Sequence, residues 1–320
     1  MKRFSLQVWL FVLLLFLVLG MIILVLPYNP ENYLYEHVAK EEMLANPERD
    51  SAIVFVGGSN VAFGYNSPMI EARLGRPVIN AGLHAELGLR FIVEESFSYL
   101  KKGDVLVFSP EYEHFFGDYS GGESLAALFY MTKGKYATHL SAAQWNTIME
   151  NTALHMRNKI KYLIFLLRGE DKENVYKLSS FNNHGDVVWH WGKTHDFLCV
   201  PMGKNEPRKF DTVSFAWLMA MFNEILERGV HLLMLPPVMA QTEYLNKNKE
   251  IRMVDSILFQ CGVPFICPPS EMSYPDSLFY DSPYHLDGMG ASLHSQDVLS
   301  LLERYVAGMG NHKKQDKEDY

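Results

Sequence analysis

The segment Ser51–Asn66, SAIVFVGGSNVAFGYN, constrains this chain more than any other. Ala52–Val56 is an unbroken apolar run rich in β-branched residues. A strand with one wet face would alternate with polar residues, so this one reads as buried on both faces of a parallel sheet. Gly57 and Gly58 follow at once and let the backbone turn sharply. Ser59 then falls just past the strand's carboxyl end, where open α/β sheets bind their ligands. Ser67-Pro68 reads as the N-cap and first residue of a helix reaching Leu74. From this stretch alone, a plain strand-to-loop turn and the seat of a nucleophile are both open.

The same rhythm continues. Pro77–Asn80 reads as a short strand, Glu86–Leu100 as a helix and Val105–Ser109 as another buried strand. It resumes with a helix from Asp211-Thr212 to Arg228, a strand at Val230–Leu235, and a helix from Thr242 to Gln260. A last short strand at Val263–Ile266 and a terminal helix from Gly288 to Gly308 complete it. Apolar runs too short for helices, alternating with helical patterns, predict a three-layer α/β domain with a mostly parallel sheet over 51–309. Residues 120–210 break the rhythm. They hold a helix at Glu123–Met131, one or two helices in Ser141–Leu167, and an aromatic, polar stretch without period from Gly169 to Phe210. We read this segment as an insertion or cap over the active edge of the sheet. The charged end of the chain, 310–320, reads as a disordered tail.

Ahead of the domain lies Ser5–Pro27, an apolar run without a charge and long enough to span a bilayer. Lys2 and Arg3 precede it, and Glu31 and Glu36 follow. That asymmetry predicts a cytoplasmic N-terminus and an extracytoplasmic remainder in the inner or plasma membrane. A cleaved signal peptide has a shorter apolar core and a small-residue site after it. Pro27-Tyr28-Asn29-Pro30 offers none, so 1–27 reads as an uncleaved anchor. Residues 28–50 read as a linker with a helix at His37–Ala45. The chain's formal charge is −8, to which Lys2 and Arg3 contribute +2, and an acidic ectodomain argues against nucleic acid. Three cysteines make no disulfide framework. Cys261 and Cys267 could pair, but buried free thiols fit their surroundings better.

Three patches carry the chemistry: Gly57-Gly58-Ser59-Asn60, Asn80-Ala81-Gly82, and Asp281-Ser282-Pro283-Tyr284-His285 before the last helix. A doubly wound sheet would bring all three to one edge. Acyl transfer needs such a kit. A serine hydroxyl is a weak nucleophile until a base such as His285 takes its proton. The imidazole needs a carboxylate, for which Asp281 is nearest, with Asp287 in reserve as the cap of the last helix. The oxyanion needs preorganised donors, and the amides of Ser59 and Gly82 suit that part.

Together these patches resemble the SGNH/GDSL hydrolase superfamily over Ser51–Ser109 and Val230–Leu302. Gly57-Gly58-Ser59 stands for the Gly-Asp-Ser block, Gly82 for the second-block glycine, and Asp281 with His285 for the late Asp-x-x-His block with one extra residue. The closing YHLDGMGA is similar to the variant seen in membrane-anchored members that handle acyl groups on cell-surface polymers. The resemblance implies a flavodoxin-like fold and a serine esterase or O-acyltransferase working on acyl groups, acetyl above all, of an envelope polysaccharide or polymer. It implies no cofactor and no metal. A transferase would need a membrane partner that exports the acyl group. The third block departs from the family: Ser109-Pro110-Glu111-Tyr112-Glu113-His114 has no asparagine, and Asn60 or Tyr112 would have to replace it. The alternative is an inactive, SGNH-shaped glycan-binding or assembly subunit.

Four further readings come from the residues themselves. Trp189 and Trp191, with Phe181, could stack on sugar rings, against a packed aromatic cap as the plainer reading. His184, His190 and His195 with Asp186 match no zinc signature. Glu111 and Glu113, at alternate positions after a strand, are expected to point together into solvent rather than to form a glycosidase pair. Gly57-Gly58-Ser59-Asn60-Val61 lacks the second glycine of the α/β-hydrolase elbow.

Overall fold

The structure, a computed structural model, describes residues 2–117, 119–169, 174–195, 197–201 and 208–318. An apolar helix, α1 (Lys2–Leu24), comes first. Its Arg3–Leu24 stretch is long and apolar enough to cross a membrane, and none of its most apolar window is buried. Helix α2 (Glu36–Ala45) then leads into a mixed α/β fold.

Four parallel strands make the main sheet, in the order β2-β1-β3-β4. They are β1 (Ile53–Gly57), β2 (Val78–Asn80), β3 (Val105–Ser109) and β4 (His231–Met234). A two-stranded parallel pair, β5 (Met239–Ala240) with β6 (Ser273–Tyr274), lies apart from it. Between and after the strands run α3 (Ser59–Ala62), α4 (Ser67–Leu74), α5 (Leu89–Ser98), α6 (Glu123–Met131), α7 (Ala142–Glu150) and α8 (Thr152–Arg168). The remaining helices are α9 (Thr212–Glu227), α10 (Gln241–Asn246), α11 (Asn248–Gln260) and α12 (Gly288–Glu318).

The unbroken apolar strands make sense once their neighbours are seen. Val54, Val56, Leu106 and Phe108 join one core cluster with Phe97 of α5, Phe222 of α9 and Val254 of α11. Ile53, Phe55, Val105 and Val107 join a second with Ile70 of α4 and Val298 and Leu302 of α12. Alternate side chains of a strand leave on opposite faces, so both faces need apolar residues.

Several expectations are corrected. The N-cap of α4 is Asn66, whose side chain accepts from the Met69 amide; the Ser67 hydroxyl instead donates to Asp186 at 2.6 Å. The single helix expected over Thr242–Gln260 breaks at Lys247, which leaves helical geometry and sets its ammonium between Glu113 and Glu243. The strand expected at Val263–Ile266 shrinks to one bridge between Met234 and Phe265, because Pro264 has no N–H to donate. The terminal helix continues through Glu318, into the stretch read as a tail. Lys, Gln and Glu are good helix formers, and extending an existing helix needs no new nucleus. All three cysteines are free, Cys199 and Cys267 buried and Cys261 exposed.

Candidate functional site

Register places the first two residues of the site. Gly57 pairs with Ser109 across β1 and β3, so Ser59 and Glu111 each lie two residues beyond one rung of the ladder. The Ser59 hydroxyl donates to Glu111 Oε1 at 3.0 Å, and the Asn60 amide donates to the same oxygen at 3.2 Å. Both glycines before Ser59 are there for room. A Cβ on Gly57 would come 2.3 Å from the Ser109 carbonyl, and one on Gly58 would come 2.7 Å from Glu111 Oε1.

The Asp281–His285 loop is closed by an antiparallel bridge between Phe279 and Leu286 and by the Tyr280 amide donating to the His285 carbonyl. That closure absorbs the extra residue between the two side chains. His285 Nδ1 and Asp281 Oδ1 are 2.7 Å apart, and the Tyr176 hydroxyl donates to Asp281 Oδ2 at 2.7 Å. Burial alone would raise the Asp281 carboxyl. The hydrogen bonds from His285 and Tyr176 overcome it and hold the group below its ordinary value. The Tyr176 phenol is pushed up by burial and by the Asp281 charge, so it stays a donor.

His285 is buried and stacks on Phe63, ring centroids 4.0 Å apart and planes 10° from parallel. Phe63 lies four residues after Ser59, and its amide donates to the Ser59 carbonyl. The imidazole therefore rests against the segment that carries the serine. Among the described residues no hydrogen bond joins the Ser59 hydroxyl to His285. The serine's partner is Glu111.

The loop is also anchored from below. The Tyr284 hydroxyl donates to Glu113 Oε2 at 2.8 Å, and Glu113 is ion-paired with Lys247. Glu111 and Glu113 thus do not point together into solvent as expected. A tight turn after β3 sends one to Ser59 and the other to the Tyr284 side of the loop.

The donors expected for an oxyanion are already engaged in part. The Gly82 amide donates to Asn80 Oδ1 at 3.1 Å, whereas the Ser59 amide has no acceptor among the described residues. Asn60 spends its side chain on the turn, giving Nδ2 to the Ser109 carbonyl at 2.9 Å and accepting from Gly58 at 3.1 Å. Tyr112 is buried in the main core, edge-on to Phe265. The Asn60 side chain is thus already engaged, and the Tyr112 ring is committed to the core. His84 was missed. Its Nδ1 accepts from the Glu86 amide at 3.2 Å, so the neutral ring carries its proton on Nε2. Burial lowers its pKa against the pull of Glu86 and Glu111, with His285 adding to the lowering.

The histidines of the insertion go separate ways. His184 faces Glu71 at 3.4 Å, His190 the Leu286 carbonyl at 2.8 Å, and His195 Asp287 at 3.2 Å. Asp186 is fully buried and accepts from Ser67 and from Asn80, tying the insertion to α4 and β2. Asp287 accepts from the Gly290 amide at 2.7 Å and so caps α12. Trp191 packs over Gly288, and Trp189 lies under the Lys193 ammonium, both half-buried. Among the described residues, His37, Glu41 and Glu95 place ligand atoms within 4.8 Å of one another. Glu41 there already accepts from Lys135, Tyr99 and Tyr136, so this group reads as an internal network. No family model, no curated protein and no solved structure matches the chain.

Proposed function

We propose that this chain is a membrane-anchored serine esterase or O-acyltransferase of SGNH type, acting on acyl groups of an extracytoplasmic polymer. The observation that carries the reading is the Asp281–His285 hydrogen bond, with His285 packed on the segment that presents Ser59. The two core clusters on alternate strand residues support a three-layer arrangement, and the basic start of α1 supports a cytoplasmic N-terminus.

In this mechanism the Ser59 hydroxyl swings from Glu111 to His285 Nε2 and attacks the acyl carbonyl, and the imidazole takes its proton. Asp281 keeps Nδ1 protonated and stabilises the imidazolium. The Ser59 amide, which has no acceptor among the described residues, receives the oxyanion. His285 then gives its proton to the departing alcohol, leaving an acyl-serine. Water or a polymer hydroxyl next attacks that ester, and a transferase needs a membrane partner to supply the acyl group. Losing one oxyanion donor typically costs ~10²–10³ in rate, so the engaged Gly82 amide predicts a slow enzyme.

A second reading rests on the Ser59–Glu111 bond: a serine tied up by a carboxylate suits a silent, polymer-binding subunit. Fluorophosphonate labelling of the full chain separates the two. The catalytic reading expects labelling of the wild type and none of Ser59→Ala at equal thermal stability. A wild type that never labels leaves the binding reading.

A further inference from the structure

Helix α8 carries an apolar surface that no other described part of the chain covers. It packs beside the end of α1, where Lys159 Nζ donates to the Ile23 carbonyl. Past Lys159 the helix reads IKYLIFLLR. Ile160, Ile164, Phe165, Leu166 and Leu167 are all exposed, Leu167 at 79%. Ile164 to Leu167 are consecutive, and at 100° per residue four in a row point around most of the helix. One protein surface laid against one side would leave the rest in water. A lipid boundary would not, because it takes in the apolar side chains while basic ones such as Lys161 and Arg168 reach the headgroups.

Three details point to lipid as the medium. Besides α6 and α7, α8 packs on α1, the helix apolar enough to lie in lipid, and Lys159 meets α1 at its end. Arg157 precedes the apolar run, Lys161 interrupts it and Arg168 ends it, and basic groups beside apolar ones suit the headgroup boundary. Tyr162 and Phe165 are stacked, with centroids 5.9 Å apart, as an aromatic pair at that level.

We propose that the Ile160–Leu167 half of α8 is seated in the headgroup–acyl boundary of the bilayer that α1 enters. The ectodomain is then held at two points, not swung from a single tether. A groove of about 840 Å³ runs from Lys161, Phe165 and Arg168 of α8 to Tyr176, whose hydroxyl is bonded to Asp281. The groove thus ends at the residue that bonds Asp281, which suits a substrate carried on or near lipid. The inference rests on α1 crossing a bilayer and is independent of the chemistry at Ser59.

The test uses the full chain in vesicles of phosphatidylcholine and phosphatidylglycerol, with Cys261→Ser removing the exposed thiol. Single cysteines at Leu14, Ile164, Leu167 or Leu245 carry an environment-sensitive fluorophore. Leu14 lies within α1, and Leu245 is an exposed residue of α10. The expected result is blue-shifted emission at 14, 164 and 167 that nitroxide-labelled lipid quenches and aqueous iodide does not, with the opposite at 245. Quenching of 14 by lipid while 164 and 167 respond to iodide overturns the proposal and leaves the anchor standing. Shielding of 164 and 167 from both quenchers also overturns it, because the cover would then be protein.

Discussion

Asp281→Asn tests the site most sharply, because it keeps the shape of the side chain and removes only charge. One oxygen of Asp281 faces His285 Nδ1 and the other the Tyr176 hydroxyl, each at 2.7 Å. If the amide turns its oxygen to the ring, His285 keeps its tautomer and only the charge is lost. A carboxylate and an imidazolium centred about 4 Å apart interact by about 4 kcal/mol at an effective dielectric of 20. The Asp281 side chain is 30% exposed, and screening trims this to ~3 kcal/mol, or roughly 10²-fold in rate. If the amide turns its NH₂ to the ring, Nε2 keeps the proton and cannot act as base, and the loss approaches ~10⁴-fold. Tyr176→Phe deletes one hydrogen bond to a charged acceptor and should cost only about tenfold. The assay is the second-order rate of fluorophosphonate labelling, with the thermal midpoint measured alongside. Asp281→Asn labelling at the wild-type rate, or below Tyr176→Phe in its effect, would refute the assignment of His285 as base.

Three further perturbations probe the surroundings. Glu111→Gln keeps the acceptor for Ser59 but weakens a charge-assisted bond by ~1 kcal/mol, so labelling should quicken about fivefold; a tenfold fall would make Glu111 itself the base. Lys40→Met should cost ~3–5 kcal/mol in denaturant unfolding, because the buried ammonium serves the carbonyls of Asn80, Gly82 and Gly185; a loss under ~1 kcal/mol would contradict that role. His294 is buried with Nδ1 on the Gly64 carbonyl, and burial pushes its pKa down to about 4. The unfolded chain, at an ordinary value of 6.5, then binds the proton first. Stability should fall as pH drops from there towards 4, by ~1.4 kcal/mol per unit for this group. His294→Asn, which can still donate to Gly64, should flatten that slope by one proton; an unchanged slope rules the explanation out.

The four strands of the main sheet were legible because each was a short apolar run bounded by glycine, proline or a polar cluster. Burial on both faces removes the alternation that would otherwise blur strand and loop. Elements whose shape depends on distant partners were not legible. Lys247 breaks a helical pattern to reach Glu113, which is 134 residues away. The β5–β6 pair is two residues on each side, too short for any period to register. Pro264 did carry a local signal, since a proline inside an apolar run argues against a paired strand.

The site divides along the same line. Asp281 and His285 are near in sequence, and only the loop's closure had to be supplied by the fold. Glu111 could have been found by register: two buried strands that pair directly in a parallel sheet bring residues at equal distance past their ends side by side. Ser59 and Glu111 are such a pair, but the rung Gly57–Ser109 is a tertiary fact that no local pattern contains. Tyr176 is further out of reach, since it comes from the stretch without period and meets Asp281 105 residues later. The residues that distinguish this site are therefore those supplied by long-range packing: a carboxylate on the serine and a phenol on the aspartate. In the proposed mechanism Glu111 would hold the hydroxyl away from His285 while Tyr176 steadies Asp281, so a substrate would have to compete with Glu111 for Ser59. Whether Glu111→Gln labels faster or slower than the wild type thus reports directly on what that carboxylate does to the serine.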